Sequence, residues 1–255
     1  VIPIIFSLGP LPLNSFGLMM VCCFIGAWRR LYLSLEEAGE NPEIAERMVV
    51  TAAVAGIVGS RVNYIISNFS EFLRDPLSMI FSGAGFVFYG GFLISAFTVA
   101  IFLKLNKLPL LKYADLAAPC LAIGYAIGRI GCHLSGDGDY GKATDSLLGF
   151  SYFLGVAPTP RGVLVHPTPI YETLLAFLLC ALLLELTKRK VLKRAGQLFG
   201  VYILFSAVFR FLIEYLRIEP VGSLGLTEAQ HVALILIIPA LLLAITGAKD
   251  TSLPK

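Results

Sequence analysis

Between residues 126 and 145 the chain reads AIGRIGCHLSGDGDYGKATD, which sets an arginine, a cysteine, a histidine and three aspartates among glycines. Arg129 is a permanent cation whose planar fork suits phosphate or carboxylate. Gly131, Gly136, Gly138 and Gly141 permit tight turns and positive φ, so backbone N–H groups here can converge on an anion. Two rival chemistries use the same residues. Cys132, His133, Asp137 and Asp139 are all possible metal ligands, but adjacent Cys and His do not match zinc spacing. The alternating aspartates also lack the terminal glutamate of a calcium loop. A Cys132–His133 nucleophilic pair is disfavoured because sequence neighbours rarely point at one another, although the distant His166 could serve Cys132. Neither a metal nor a cofactor is expected.

A second charged constellation lies in FRFLIEYLR (209–217), where Arg210, Glu214 and Arg217 fall at i, i+4 and i+7 and share one helical face. Pairing Glu214 with either arginine leaves that face positive. Two further polar islands interrupt apolar runs. GAGFVFYGGFLI (83–94) brings Tyr89 and the Gly90–Gly91 pair to a helix start. HPTPIYE (166–172) has prolines suited to helix entry, with Tyr171 and Glu172 in the first turn.

The elements that must position these groups are set by composition. Of 255 residues, 57% are apolar and only 15% charged, whereas soluble domains are about one quarter charged. Spanning a bilayer takes about 20 apolar residues, and the apolar runs predict seven transmembrane helices near 14–33, 47–67, 84–103, 113–131, 167–187, 196–217 and 228–247. The fold class is therefore an all-α integral membrane protein, with residues 1–255 as one membrane-embedded domain. After Arg129 the glycine-rich run is expected to break its helix. The run from Phe16 to Trp28 has no basic residue before it and reads as a retained span rather than a signal peptide. The odd number of cysteines, with no CxxC pair, indicates neither a disulfide framework nor a zinc site.

Basic residues crowd one set of alternate connections: Arg29, Arg30, Arg47, Lys104, Lys107, Lys112, the run from Lys188 to Arg194, Lys249 and Lys255. Arg74, Lys142 and Arg161 occupy the other set. The positive-inside rule makes the richer side cytoplasmic, with the N-terminus outside and the C-terminus inside. Arg61, Arg129, Arg210 and Arg217 then lie in, or at the outer ends of, spans 2, 4 and 6. A mid-bilayer arginine costs about 2.5–3.5 kcal/mol on insertion scales, so each needs a partner, a wet cavity or an anionic ligand. Their common position near the outer leaflet points to a shared task.

Taken in order, LGPLPLNSFGLMM (8–20), GSRVNY (59–64), FYGGFL (88–93), GRIGCHLSGDGDYG (128–141), HPTPIYE (166–172), RFLIEYLR (210–217) and GLTEAQ (225–230) resemble the bacterial prolipoprotein diacylglyceryl transferases almost end to end. The resemblance implies a seven-helix enzyme of the bacterial inner membrane with its active site toward the outer leaflet. Such enzymes move the diacylglyceryl group of phosphatidylglycerol to the lipobox cysteine thiol of a prolipoprotein, releasing glycerol phosphate. The partners are thus the lipid, the prolipoprotein and the bilayer, with no nucleic acid. By this analogy Arg129 and Arg210 grip the phosphate, and Glu214 orients a guanidinium or helps the acceptor. Arg61, Gly90, Gly91, Cys132, Ser135, Asp139, Gly141 and His166 are expected to line the substrate.

Departures from the family pattern concern the acceptor half. Tyr89 replaces a histidine, Cys132 and His133 replace asparagine and phenylalanine, and Ser135 replaces a second asparagine. Asp137 or Asp139 stands where a glutamate is usual, Phe16 replaces a tyrosine, and GDGDYG is one residue longer. A phenol with pKa near 10 is only about one part in a thousand ionised at pH 7, so Tyr89 makes a poor general base. His133 is the natural replacement, with Asp137, Asp139 and His166 behind it. Two alternatives stay open: a relative that uses another acceptor, and a non-catalytic phospholipid-binding or transport protein. Transporters commonly carry internal repeats, and the seven unequal spans show no convincing duplication.

Overall fold

The computed structural model describes residues 1–8, 11–81 and 88–248, with the side chains at positions 8, 11, 78, 80, 81, 88 and 89 also outside the description. An antiparallel hairpin, β1 (Ile4–Leu8) and β2 (Leu11–Asn14), leads into α1 (Ser15–Glu37). There follow α2 (Ile44–Ser67), two short helices α3 (Phe69–Phe72) and α4 (Pro76–Phe81), and α5 (Phe88–Leu105). The remainder comprises α6 (Leu110–Ser135), α7 (Thr168–Lys188), α8 (Gln197–Ile213), which continues as a 3-10 turn through Leu216, and α9 (Glu228–Thr246).

Among the described residues, six helical segments are long and apolar enough to cross a membrane: α1, α2, α6, α7, α8 with its 3-10 extension, and α9. The apolar stretch of α5, Gly90–Leu105, is shorter. Residues 84–87, where the third expected span begins, and Lys249 and Lys255 of the basic count lie outside the described residues. Large apolar side chains such as Ile66, Phe97, Leu178, Ile235 and Ile245 point outward and are exposed. A surface of that kind is stable against hydrocarbon rather than water, and carried on long helices it is the pattern of a multi-pass membrane protein.

Helix α6 is the centre of the bundle. On one side Leu31 and Leu35 of α1, Met48 of α2 and Leu103 of α5 pack with its Tyr113 and Cys120. On the other, Ala118 and Ala122 meet Leu179, Cys180 and Leu183 of α7 and Leu198 of α8. Small residues set these close approaches. A Cβ on Gly91 would stand 2.8 Å from the carbonyl oxygen of Gly56, so α5 and α2 touch backbone to backbone.

The end of α6 departs from expectation. The helix does not break after Arg129 but runs on to Ser135 and stops at Gly136, whose φ of +61° places it in the left-handed region. Its N–H bonds the carbonyl oxygen of Cys132 at 2.9 Å, which is a helix-terminating geometry that glycine adopts most easily. Gly131 instead serves packing, since a Cβ there would meet Met19 Cβ of α1 at 3.0 Å. Glycine therefore allows contact at 131 and termination at 136, and the extra turn keeps Cys132 and His133 on the same rigid helix as Arg129.

At Gly200 of α8 an added Cβ would stand 2.5 Å from Ala244 N and 2.9 Å from Ala244 Cα, both backbone atoms of α9 that cannot rotate away. Gly200→Ala is expected to force α8 from α9 and to destabilise the protein by about 1–3 kcal/mol. Thermal unfolding of the detergent-solubilised protein measures this as a lowered midpoint, and an unchanged midpoint would refute the packing account.

Candidate functional site

Where the C-terminal turns of α6 meet the first turns of α7 and the end of α8, six charged side chains close into a ring. Arg129 of α6 donates through Nη2 to Glu172 Oε1 of α7 at 3.1 Å, and its Nε lies 3.0 Å from Glu172 Oε2. Arg210 of α8 donates to the same Glu172 Oε1 at 3.2 Å and pairs with Glu214 Oε2 at 3.1 Å. Arg217 lies 3.6 Å from Glu214 Oε2 and donates to Asp139 Oδ1 at 2.7 Å. Asp139 Oδ2 accepts from Arg129 Nη1, which completes the circle. Three cations alternate with three anions, so the positive surplus expected on the Arg210 face is cancelled by Glu172 and Asp139.

Neutral groups support the ring from outside. Tyr125, one turn before Arg129, donates to Glu172 Oε1 at 2.7 Å and accepts from Arg129 Nε at 3.1 Å. Thr227 caps α9, accepting from Gln230 N, and uses its hydroxyl hydrogen toward Glu214 Oε1 at 2.9 Å. Access differs among the arginines. The Arg210 side chain is 27% exposed, against 12% for Arg129 and 5% for Arg217. Arg210 and the outer edge of Arg129 are therefore the more accessible cations of the ring, whereas Arg217, bonded also to Asp139 O and Glu219, is buried.

The segment 136–167 folds over the ring and is tied to it by backbone bonds. Gly141 N donates to His166 O at 2.8 Å and Lys142 N to Leu216 O at 2.7 Å. A Cβ on Gly141 would lie 2.4 Å from Leu216 O and 3.0 Å from both His166 Cβ and Thr168 Cγ2, so only glycine lets the three strands of chain meet. Thr168 at the start of α7 donates to Asp139 O at 2.5 Å, fixing the carboxylate that faces Arg129 and Arg217.

The expected site residues separate into distinct environments. Arg129, Arg210, Glu214 and Asp139 belong to the ring, and Gly141 fixes its cover. Cys132 and Asp137 adjoin it, their ligand atoms and one of Asp139 lying within 4.8 Å of one another. The Arg129 guanidinium donates to Cys132 Sγ at 3.6 Å and contacts Asp139, so that corner is served by an organic cation. His133 turns elsewhere: Nδ1 lies 2.8 Å from Tyr152 OH, and the ring packs on Phe150 at 4.9 Å between centroids. His166 Nδ1 lies 3.3 Å from Tyr171 OH. Ser135 is buried and donates to Cys132 O at 3.1 Å. Arg61 donates to Met79 O at 3.1 Å, and Gly90 and Gly91 pack against Asn63 and Gly56 of α2. The side chain of Tyr89 lies outside the described residues.

Sequence reasoning did not place Glu172, Tyr125 or Thr227 in the site. Glu172 had a signal, a lone carboxylate heading the apolar run TLLAFLLCALLL. Arg217, grouped in sequence with the other arginines near the outer leaflet, pairs with Glu214 and Glu219, and its shortest bond is to Asp139 across the fold.

Electrostatics distinguish the two loop aspartates. Burial would raise the Asp139 pKa, but the charges of Arg129 and Arg217 and their hydrogen bonds outweigh it and hold this carboxyl far below its ordinary range. Burial and then the charge of Asp139 push Asp137 upward. Burial works against the Arg217 cation, yet the charge of Asp139 more than compensates and the guanidinium stays protonated.

The family model described as prolipoprotein diacylglyceryl transferase matches residues 3–246. The chain is 32% identical over 248 residues to phosphatidylglycerol-prolipoprotein diacylglyceryl transferase 2 of Clostridium perfringens, covering 94% of this chain and 95% of that protein. It is similarly 30% identical to the phosphatidylglycerol-prolipoprotein diacylglyceryl transferase of Clostridium tetani, over 92% of this chain and 94% of the relative. The protein of the same name from Dehalococcoides mccartyi strain BAV1 is 33% identical over 92% of this chain and 89% of its own length.

Glu172 bonds two arginines, so Glu172→Gln leaves both incompletely neutralised and is expected to destabilise the protein by about 3–5 kcal/mol, read as a lowered unfolding midpoint in detergent. For Asp139 the folded pKa is depressed, so its stabilisation is present above the unfolded value of about 3.9 and is lost as pH falls through the folded value. The unfolding midpoint of the wild-type protein is therefore expected to fall on acidification below about pH 5 more steeply than that of Asp139→Asn. Parallel curves would count against the Asp139 linkage.

Proposed function

The chain belongs to the prolipoprotein diacylglyceryl transferase family, and from that premise we propose that it transfers the diacylglyceryl group of phosphatidylglycerol to the cysteine thiol of a prolipoprotein. In this reaction the thiol sulfur bonds to the glyceryl carbon, the bond from that carbon to the phosphate oxygen breaks, and glycerol phosphate departs as an anion. The thiol proton passes to a base. The observation that carries the reading is the convergence of Arg129 and Arg210, from separate helices, on one oxygen of Glu172.

In the resting ring Glu172 occupies the position between the two guanidiniums. A donor phosphate that enters beside Arg210 exchanges with or adds to this carboxylate, so the cations are already oriented before the lipid arrives. Preplaced donors of that kind contribute most where negative charge grows, on the departing phosphate. Glu214 and Arg217 hold Arg210 and Asp139 in register, and Tyr125 fixes Glu172.

For the proton, Asp139 is a weak acceptor because two arginines hold it ionised. Asp137 is the better placed carboxylate, since it adjoins Cys132 at the rim and its pKa is raised. His133, the base expected from its type, is one helical position past Cys132 and is engaged by Tyr152. The acceptor half of the reaction is thus assigned to the corner formed by Asp137 and Cys132, with His133 behind it.

The arrangement in the membrane follows the same reading. The 18 residues of α5 reach about 27 Å at 1.5 Å per residue, close to the ~30 Å hydrocarbon core, which supports reading α5 as a seventh span of one membrane domain. Arg29, Arg30, Lys190, Lys193 and Arg194 gather at the end of the bundle away from the ring. The positive-inside rule then sets the ring at the outer leaflet of the bacterial inner membrane, with the N-terminus outside and the C-terminus in the cytoplasm.

With phosphatidylglycerol and a lipobox peptide supplied, the purified protein is expected to form a thioether-linked diacylglyceryl peptide and to release glycerol phosphate. Arg129→Ala and Arg210→Ala should each lower turnover by about 100-fold or more. Asp137→Asn is expected to remove the acidic limb of the pH–rate profile, whereas His133→Gln should leave that limb in place. Lipid cleavage without a thiol acceptor would instead favour another partner or hydrolysis.

A further inference from the structure

The end of the bundle opposite the ring holds a cavity that the transfer reaction does not use. It has a volume of about 580 Å³ and lies between the last turns of α1 and α7, the first turns of α6 and the start of α8. That volume is within the ~300–1,000 Å³ range of small-molecule sites. Its wall divides by chemistry. Leu116, Pro119, Leu184 and Leu198 form an apolar side, while Arg30, Lys190, Lys193 and Arg194 supply cations.

Of the two lining carboxylates, Glu37 pairs with Arg30, and neither forms a salt bridge with Lys190, Lys193 or Arg194. Asp115 accepts from the backbone N–H groups of Gly196 and Phe199 at 2.7 Å each and is committed to the start of α8. Glu37 accepts from Arg30 at 3.0 Å. Among the described residues, the ammonium groups of Lys190 and Lys193 form no salt bridge. The backbone of Lys190 adds a second observation. Its φ is +52°, in the left-handed region, and its N–H bonds Thr187 O at 3.0 Å to close the end of α7. Glycine takes that position without a steric penalty, and here it carries a cation instead.

We propose that this cavity binds the phosphate headgroup of an anionic phospholipid, with the acyl chains leaving over its leucine-lined side. A cationic recess between membrane-spanning helices, at the depth where headgroups lie, has the charge and the position for that ligand. The proposal rests on the bundle spanning a bilayer and is independent of the transfer chemistry.

The test uses the full-length protein in detergent, dioleoyl phosphatidic acid as probe, and native mass spectrometry to measure retained lipid. Dioleoyl phosphatidylcholine and inorganic phosphate are run alongside. Phosphatidic acid is expected to be retained in preference to phosphatidylcholine, and also in Arg210→Gln, where the ring is weakened. Each ammonium removed should weaken retention about five-fold, so Lys190→Gln/Lys193→Gln should lose about 25-fold. Lys190→Gly separates binding from folding, because it should lose about five-fold in retention with no fall in the unfolding midpoint. Equal retention of the two lipids would overturn the proposal, as would retention unchanged in the lysine variants. Inorganic phosphate bound as tightly as the lipid would overturn the lipid assignment and leave a soluble anion as the occupant.

Discussion

Charge neutrality inside an apolar bundle is the constraint on which the rest of the structure depends. Three guanidiniums cannot be held together near the membrane unless anions separate them, and the ring Arg129, Glu172, Arg210, Glu214, Arg217, Asp139 is the arrangement that does so. Each member touches two neighbours of opposite sign, so no cation meets another directly. The surrounding fold can be understood as what keeps these six groups in sequence. Helix α6 runs six residues beyond Arg129, α7 begins so that Glu172 is buried, and the loop returns through Gly141 to deliver Asp139.

How much of this was legible in the sequence depends on distance along the chain. The long helices are visible because about 20 apolar residues in a row have few other stable outcomes. Arg210 and Glu214 are visible as a pair because helical spacing places them together. Glu172 and Arg129 are 43 positions apart, and Asp139 and Arg217 are 78 apart. No periodicity connects them, and only the packing of α6 against α7 and the fold of the loop bring them into contact. Glycine was ambiguous for a related reason. Gly131 and Gly136 look alike in sequence, but Met19 on another helix makes one a contact and a left-handed φ makes the other a stop.

The two halves of the expected chemistry have unequal structural support. The half proposed to bind phosphate is over-determined, because every ring member is fixed from two sides and Tyr125 and Thr227 hold the carboxylates from behind. The acceptor half departs most from the family pattern and is also less tightly held. His133 is drawn toward the aromatic cluster of Tyr152, Phe150 and Tyr140, and Asp137 follows the left-handed Gly136 in the loop. Substitution is tolerated where few partners must change together, which is the physical sense in which one half can be rewritten while the other is kept.

The distribution of ring members along the chain also bears on biogenesis. Arg129 leaves the ribosome before Glu172, and Glu172 before Arg210, so each newly made segment brings a counter-ion for the one already waiting. Helices α6 and α7 can therefore enter the membrane as a partly neutralised hairpin, and α8 joins a carboxylate that is already in place. The order of synthesis itself lowers the penalty of delivering arginine to a lipid environment.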